Sequence, residues 1–381
     1  MDISTKDCCG CGMCAMICSR NAIEIKYDTG FPLPAIDEKK CIKCGRCYAY
    51  CPTNLSLREN NDVLAYGGWS LNENNRMLST SGGIAYEIAR HLVENGFKYM
   101  GVRFNNEQLC AENYTTDKIE LLNASRGSKY ITSRTLPALN DLKQKSKWVV
   151  FGTPCQIAAI DNYANLEGRR EDYVLVDMFC AGPPTDKLLL KYLEEECNKD
   201  NKQLKHIIDV KFRDKSKFGW SSTMRIDYND GTTNNIVDKN ESYFYKLFYS
   251  GATAKDACYK CMYAKDISRA DIRLGDYSGG KYDGNYEGVS AILVFSEKGK
   301  KIINELRETK IYLEETTCED INKTKLVKPK YEPRQRKKIL EALDTDMSLE
   351  EIYNKYVKQI MFEKRVKKKI KRILGYLTNR N

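Results

Sequence analysis

Apolar positions in this chain fall into short runs whose spacing separates strands from helices. Residues 22–27 and 31–36 flank Asp28-Thr29-Gly30 and predict a β-hairpin. Ile84, Ile88 and Leu92 stand four apart within residues 84–95, after Ser79-Thr80-Ser81-Gly82-Gly83 and before Gly96, which predicts a capped amphipathic helix. Residues 98–104 predict a strand. Trp148-Val149-Val150-Phe151 predicts another, followed by the turn Gly152-Thr153-Pro154-Cys155, a helix beginning at Gln156 and a second buried strand over 173–178, together a βαβ unit. Ile272 to Leu274 predicts a strand leading into a Gly275-Asp276 turn. Over 361–377, Phe362, Val366, Ile370, Ile373 and Leu377 share one helical face while Lys and Arg fill the rest.

No apolar run approaches the ~18 residues of a bilayer span. The opening MDISTKDCCGCG has no basic start, apolar core or cleavage site, so neither secretion nor membrane spanning is expected. The 381 residues can form two or three domains. The net charge of +10 is concentrated late: residues 330–381 hold 15 Lys and Arg against 7 Asp and Glu. The near-neutral remainder argues against an extended nucleic-acid-binding face. The late basic helix could lie on an anionic membrane surface, pack on the body or present a solvated charged face; the one-sided charge of its polar face favours the membrane surface.

Sixteen cysteines in a chain of this length, with no secretory start, point to metal ligation in a reducing cytoplasm rather than to disulfides. Cys8, Cys11, Cys14 and Cys18 are spaced x2, x2, x3, and Cys41, Cys44, Cys47 and Cys51 repeat that spacing before Pro52. This is the bacterial ferredoxin ligand run, in which the fourth cysteine serves the other cluster. Cys8, Cys11, Cys14 and Cys51 are therefore expected on one [4Fe-4S] cluster, with Cys41, Cys44, Cys47 and Cys18 on a second. Zinc sites use four ligands rather than two runs of four. Ser19 stands where a proline often follows the first run, and Cys9 is an extra thiol, an alternative ligand, an oxidation-sensitive spare or a buried residue.

If the two strands of the βαβ unit are parallel, Cys155 and Cys180 both sit beyond carboxyl ends, where open α/β sheets place their ligands. Cys258 and Cys261 form a CxxC ahead of Ser268-Arg269-Ala270-Asp271-Ile272-Arg273-Leu274-Gly275-Asp276. From spacing, two readings stand for these four thiols: a third [4Fe-4S] cluster, or two buried cysteines and a small separate metal site. Asp271 and Asp276 are polar candidates nearby, without an assigned role. The serine-glycine loop at 79–83 could present backbone N–H groups to a phosphate, although most such loops only cap. With no Walker loop, GxGxxG or HExxH and only His91 and His206, a histidine-based hydrolase is not expected.

Ser81-Gly82-Gly83-Ile84, Gly127-Ser128-Lys129-Tyr130, Gly152-Thr153-Pro154-Cys155-Gln156, Phe179-Cys180-Ala181-Gly182 and the 258–276 segment, in this order behind a ferredoxin module, resemble the coenzyme F-420 hydrogenase/dehydrogenase beta-subunit family over about residues 1–325. The resemblance implies an iron-sulfur flavoprotein oxidoreductase. It implies a third cluster on Cys155, Cys180, Cys258 and Cys261, and a bound FAD contacted by Ser81, Gly82, Gly83, Lys129 and Thr153. Close relatives look like those found among capsule and exopolysaccharide genes, so a role in polysaccharide biosynthesis is part of the expectation. The alternative is an electron-transfer subunit of a hydrogenase or dehydrogenase complex with no substrate of its own.

The expected fold is α+β: a ferredoxin-like 2[4Fe-4S] module over 1–60, an α/β flavin-binding body divided into 61–147 and 148–325, and a basic helical tail over 326–381. The expected partners are a redox protein or a small-molecule substrate and no nucleic acid. The expected location is the cytoplasm, with peripheral contact at the inner membrane face if the basic helix lies there.

Overall fold

The computed structural model describes residues 6–56, 62–235, 241–264, 267–323 and 333–358. The amphipathic helix expected over 361–377 lies outside these residues. In the first segment, β1 (Ile23–Lys26) and β2 (Leu33–Ile36) form the expected antiparallel hairpin. Two four-residue helices, Met13–Met16 and Arg46–Ala49, flank it. They are structural repeats: each opens on a left-handed glycine, Gly12 at φ 77° and Gly45 at φ 76°, a conformation that costs other L-residues energy.

The body is built on a nine-stranded mixed sheet. Its strands are β3 (Leu64–Ser70), β4 (Lys98–Asn105), β5 (Cys110–Thr116), β6 (Ser133–Arg134), β7 (Trp148–Gly152) and β8 (Tyr173–Met178), then β12 (Ile272–Asp276), β13 (Ser290–Val294) and β14 (Ile311–Glu315). The intervening β9 (Ile207–Lys211), β10 (Arg225–Tyr228) and β11 (Thr233–Asn235) form a separate antiparallel sheet. The large sheet runs in the order β14-β3-β13-β12-β8-β7-β4-β5-β6. β4, β7, β8 and β12 are mutually parallel in adjacent pairs, so the βαβ expectation holds. Gly275 and Asp276, expected in a turn, extend β12 instead, because both pair with β13.

Helices on both faces explain why β7 and β8 read as continuous apolar runs. Val149, Val174 and Val176 pack on one face with the helices Ile84–Glu94 and Glu297–Leu306. Trp148, Val150, Tyr173 and Leu175 pack on the other, where Cys11, Met13, Met16 and Ile17 of the ferredoxin segment join the same core. The module is thereby seated on the body. A third core surrounds Phe212, Phe244 and Leu188 and takes in Ile339, Leu343, Leu349, Ile352 and Val357 from the late segment.

Among the described residues, no helix is long and apolar enough to cross a membrane.

Candidate functional site

Repeated helix openings bring the first cysteine run around a cavity of about 330 Å³, far above the ~10–15 Å³ that one water needs. Cys8, Cys11, Cys14 and Cys51, the expected ligands of one cluster, line it together with Cys9 and Cys47. Burial, then the nearby thiols of Cys8 and Cys51, pushes Cys14 up to about 12. Burial also pushes Cys8 up, with Cys51 among its thiol neighbours. Cys47 is raised by burial and feels Cys44 and Cys18, the partners expected at the second cluster. Cys51 thus lies with the first set and Cys18 near Cys47, while Cys47 also borders the first cavity. Thiols crowded like this resist ionising alone and need cationic iron to become thiolates. Among the described residues, no three His, Cys, Asp or Glu side chains converge on a point suited to a single ion. Four cysteines around a sizeable space fit an iron-sulfur cube.

Cys9, the extra thiol, lies between two groups of cysteines. Partly buried, its thiol lies within hydrogen-bonding reach of both Cys11 and Cys155, and so stands between the first cluster's cavity and the carboxyl edge of the large sheet.

Cys155 is the second residue of the helix Pro154–Leu166, its Sγ 3.3 Å from Thr153 Oγ1. Cys180 follows the end of the adjacent strand β8. The turn after it presses on the CxxC segment: a Cβ on Gly182 would lie 3.1 Å from Cys258 Cβ. Tyr263 is flanked electrostatically by Cys9, Cys155 and Cys261, and its hydroxyl donates to Pro52 O at 2.7 Å. All four candidate third-cluster cysteines therefore lie in one neighbourhood between the sheet edge and the ferredoxin segment.

The serine-glycine loop reaches the same edge farther along. Ser81 Oγ donates to Val289 O at 2.7 Å, Gly82 N–H to Ser290 Oγ at 3.0 Å, and Ser70 N–H to Gly82 O at 2.7 Å. Gly82 thus spends its N–H within the protein, and the helix Ile84–Glu94 has Gly83 rather than a side chain at its N-cap. Buried Lys215 secures the loop through carbonyls: Nζ donates to Ser81 O at 2.7 Å, to Arg76 O at 2.9 Å and to Glu287 O. Burial, then the Arg213 guanidinium, pulls Lys215 down to about 7. Ser128 N–H donates to Thr80 Oγ1 at 2.7 Å, which brings the 127–130 loop alongside. Lys129 Nζ turns onto Ala124 O and Arg126 O, at 3.1 and 2.9 Å, and burial pulls it down to about 7. Thr153 N–H donates to Gln156 Oε1 at 3.0 Å. Ser81 bonds at the start of β13, three strand positions from β7, so Ser81 and Thr153 are separated by roughly 14 Å or more along the edge.

Of the two acidic candidates, Asp276 stands at this edge and pairs with Arg213 at 2.9 Å. Asp271 lies at the opposite end of β12, bound by Arg170, Ser296 and Leu175 N–H, and serves the framework. Lys215 and Arg213 were not singled out from the sequence, since they occupy a lysine-rich stretch, 211–217, that reads as solvated surface.

The comparisons bear on this arrangement directly. Residues 7–55 match the 4Fe-4S dicluster domain. Residues 145–320 match the family described as the C terminus of the coenzyme F420 hydrogenase/dehydrogenase beta subunit. Over those residues the chain is similar to that beta-subunit family, behind a segment similar to the dicluster domain. For this beta-subunit relative, no curated protein matches. Among solved structures, one titled as a xenon derivatization of the F420-reducing [NiFe] hydrogenase complex from Methanosarcina barkeri is similar at 16% identity. The match covers 66% of this chain and 81% of that one with a TM-score of 0.48.

Proposed function

We propose that this protein is an iron-sulfur flavoprotein oxidoreductase. Two [4Fe-4S] clusters sit in the ferredoxin module, a third is held by Cys155, Cys180, Cys258 and Cys261, and FAD lies along the carboxyl edge of the sheet. The observation that carries this reading is the place of Cys9, between the cavity of the first cluster and Cys155. It leaves almost no insulating protein between the module and the body.

When bound, clusters supply one-electron exchange, and a flavin couples it to two-electron chemistry. The chain's part is to hold and enclose. Cys155 at a helix N-terminus gains from the helix dipole as a thiolate. Ser81, Gly82 and Gly83 at one end and Thr153 at the other are spaced for an extended dinucleotide rather than for a single phosphate. Lys129, pulled down to about 7, would hold its proton more firmly once a phosphate lay beside it.

The test is anaerobic purification with iron, sulfide and flavin measured on one sample. About twelve irons and about one FAD per chain are expected. About eight irons and no flavin after reconstitution would leave the second reading, an electron-carrying subunit whose substrate belongs to another protein. If flavin is present, substrate screening begins with sugar-linked compounds, the class that the polysaccharide expectation names.

A further inference from the structure

The ferredoxin module presents its two cysteine sets differently. The first lines a cavity within the module, with Cys11 buried, whereas Cys44 of the second set is exposed. The chain on either side of it carries exposed apolar and cationic side chains together. Ile42 is 62% exposed and Tyr48 46% exposed, unusual values for large apolar side chains. Lys39, Lys40, Lys43 and Arg46 are all exposed on the same stretch. Arg20, also exposed, follows Cys18, whose thiol neighbours Cys47. The acids nearby include Asp37, already paired to Lys40 at 3.3 Å, Glu38, and Glu167, which accepts from Tyr50 beneath Arg46.

We propose that this face docks a small acidic electron-carrier protein, which exchanges one electron with the module at its second cysteine set. The inference rests on the iron-sulfur reading and names its partner class. Charge selects the occupant: a basic rim attracts an acidic carrier and repels a basic one or a second copy of itself. Ile42 supplies exposed apolar area beside Cys41, with Tyr48, which also lines the first cavity, next to Cys47. The exchange is balanced within the pair: the carrier is oxidised by one electron, the module is reduced by one, and no bond or proton changes place. Cys44 is the exposed ligand candidate of the module, and Cys11 the buried one, so electron exchange with a protein is placed at the second set.

The test measures binding of an acidic flavodoxin to the anaerobic holoprotein by calorimetry at about 20 and about 200 mM salt, with a basic cytochrome c as the opposite probe. Flavodoxin is expected to bind about tenfold more weakly at the higher salt and in Lys43→Glu/Arg46→Glu at the lower salt. Cytochrome c should bind the variant better than the parent. Lys39→Glu/Lys40→Glu, farther from the ligand cysteines, should show the same direction and covers the case in which the first variant loses iron. Salt-insensitive binding, equal binding by parent and variants, or a salt-sensitive dimer of this chain in place of a complex would overturn the docking face. Iron measured on each sample separates that outcome from failure of the iron-sulfur reading itself, which would appear as protein without clusters.

Discussion

Arg273 and Asp177 form a two-point ion pair inside the sheet, Nε to Oδ1 at 2.6 Å and Nη2 to Oδ2 at 2.7 Å, with the side chains 2% and 1% exposed. Ser268 Oγ also donates to Asp177 at 2.7 Å. The pair ties β12 to β8 three residues before Cys180. Arg273→Met is expected to destabilise the protein by about 3–5 kcal/mol, since it strands a buried carboxylate. Arg273→Met with Asp177→Leu should recover much of that. Thermal melts of the anaerobic proteins check both, and a single variant as stable as the parent would show that the pair is dispensable.

The position of Cys9 makes an iron count decisive. If Cys155 is a cluster ligand and Cys9 only its hydrogen-bonding neighbour, Cys155→Ala should lower iron from about twelve to about eight per chain while Cys9→Ala keeps about twelve. The opposite pattern would make Cys9 the ligand.

Gly82 is a site of close approach. A Cβ there would lie 2.4 Å from Gly68 O and 2.8 Å from Ser290 N, both backbone atoms that cannot swing aside. Gly82→Ala is expected to cut bound flavin several-fold while leaving iron unchanged. Lys215→Met, which removes the three carbonyl contacts of that loop, should act in the same direction. Full flavin in both variants would separate the loop from the cofactor.

Asp186 begins the helix Asp186–Lys199 where the body meets the ferredoxin hairpin, its N–H donating to Gly30 O at 3.1 Å. Burial pushes its carboxyl up to about 7, against the opposing pull of Arg134 and Lys255. A carboxyl raised in the folded state binds protons there that the unfolded chain has released, so stability falls as pH rises from about 4 to about 7. Asp186→Asn removes that loss. Its gain in melting temperature over the parent should therefore be larger at pH about 8 than at pH about 5, and a gain independent of pH would contradict the assignment.

Much of the site was legible because its chemistry is local. Four cysteines in one run fix their own geometry, and β7 and β8 announce burial on both faces by unbroken apolar residues. Long-range contacts left no such trace. Lys215 meets Ser81 across 134 positions, and nothing in its neighbourhood distinguishes it from the solvated lysines beside it. Asp271 and Asp276 looked alike in one motif, but five residues along a strand carried them to opposite edges of the sheet. Gly275-Asp276 read as a turn because the pairing that makes it strand comes from β13.

The core around Phe212 and Phe244 is closed by Ile339, Leu349, Ile352 and Val357, and Lys187 meets Asp344 at 2.6 Å. Synthesis runs in the other direction: the ferredoxin cysteines leave the ribosome first, and the helix that supports Gly30 through Thr185 cannot be covered until residue 357 has emerged. The nascent protein thus passes through a stage in which both ferredoxin cysteine runs have emerged while the core behind the helix that supports Gly30 is still open.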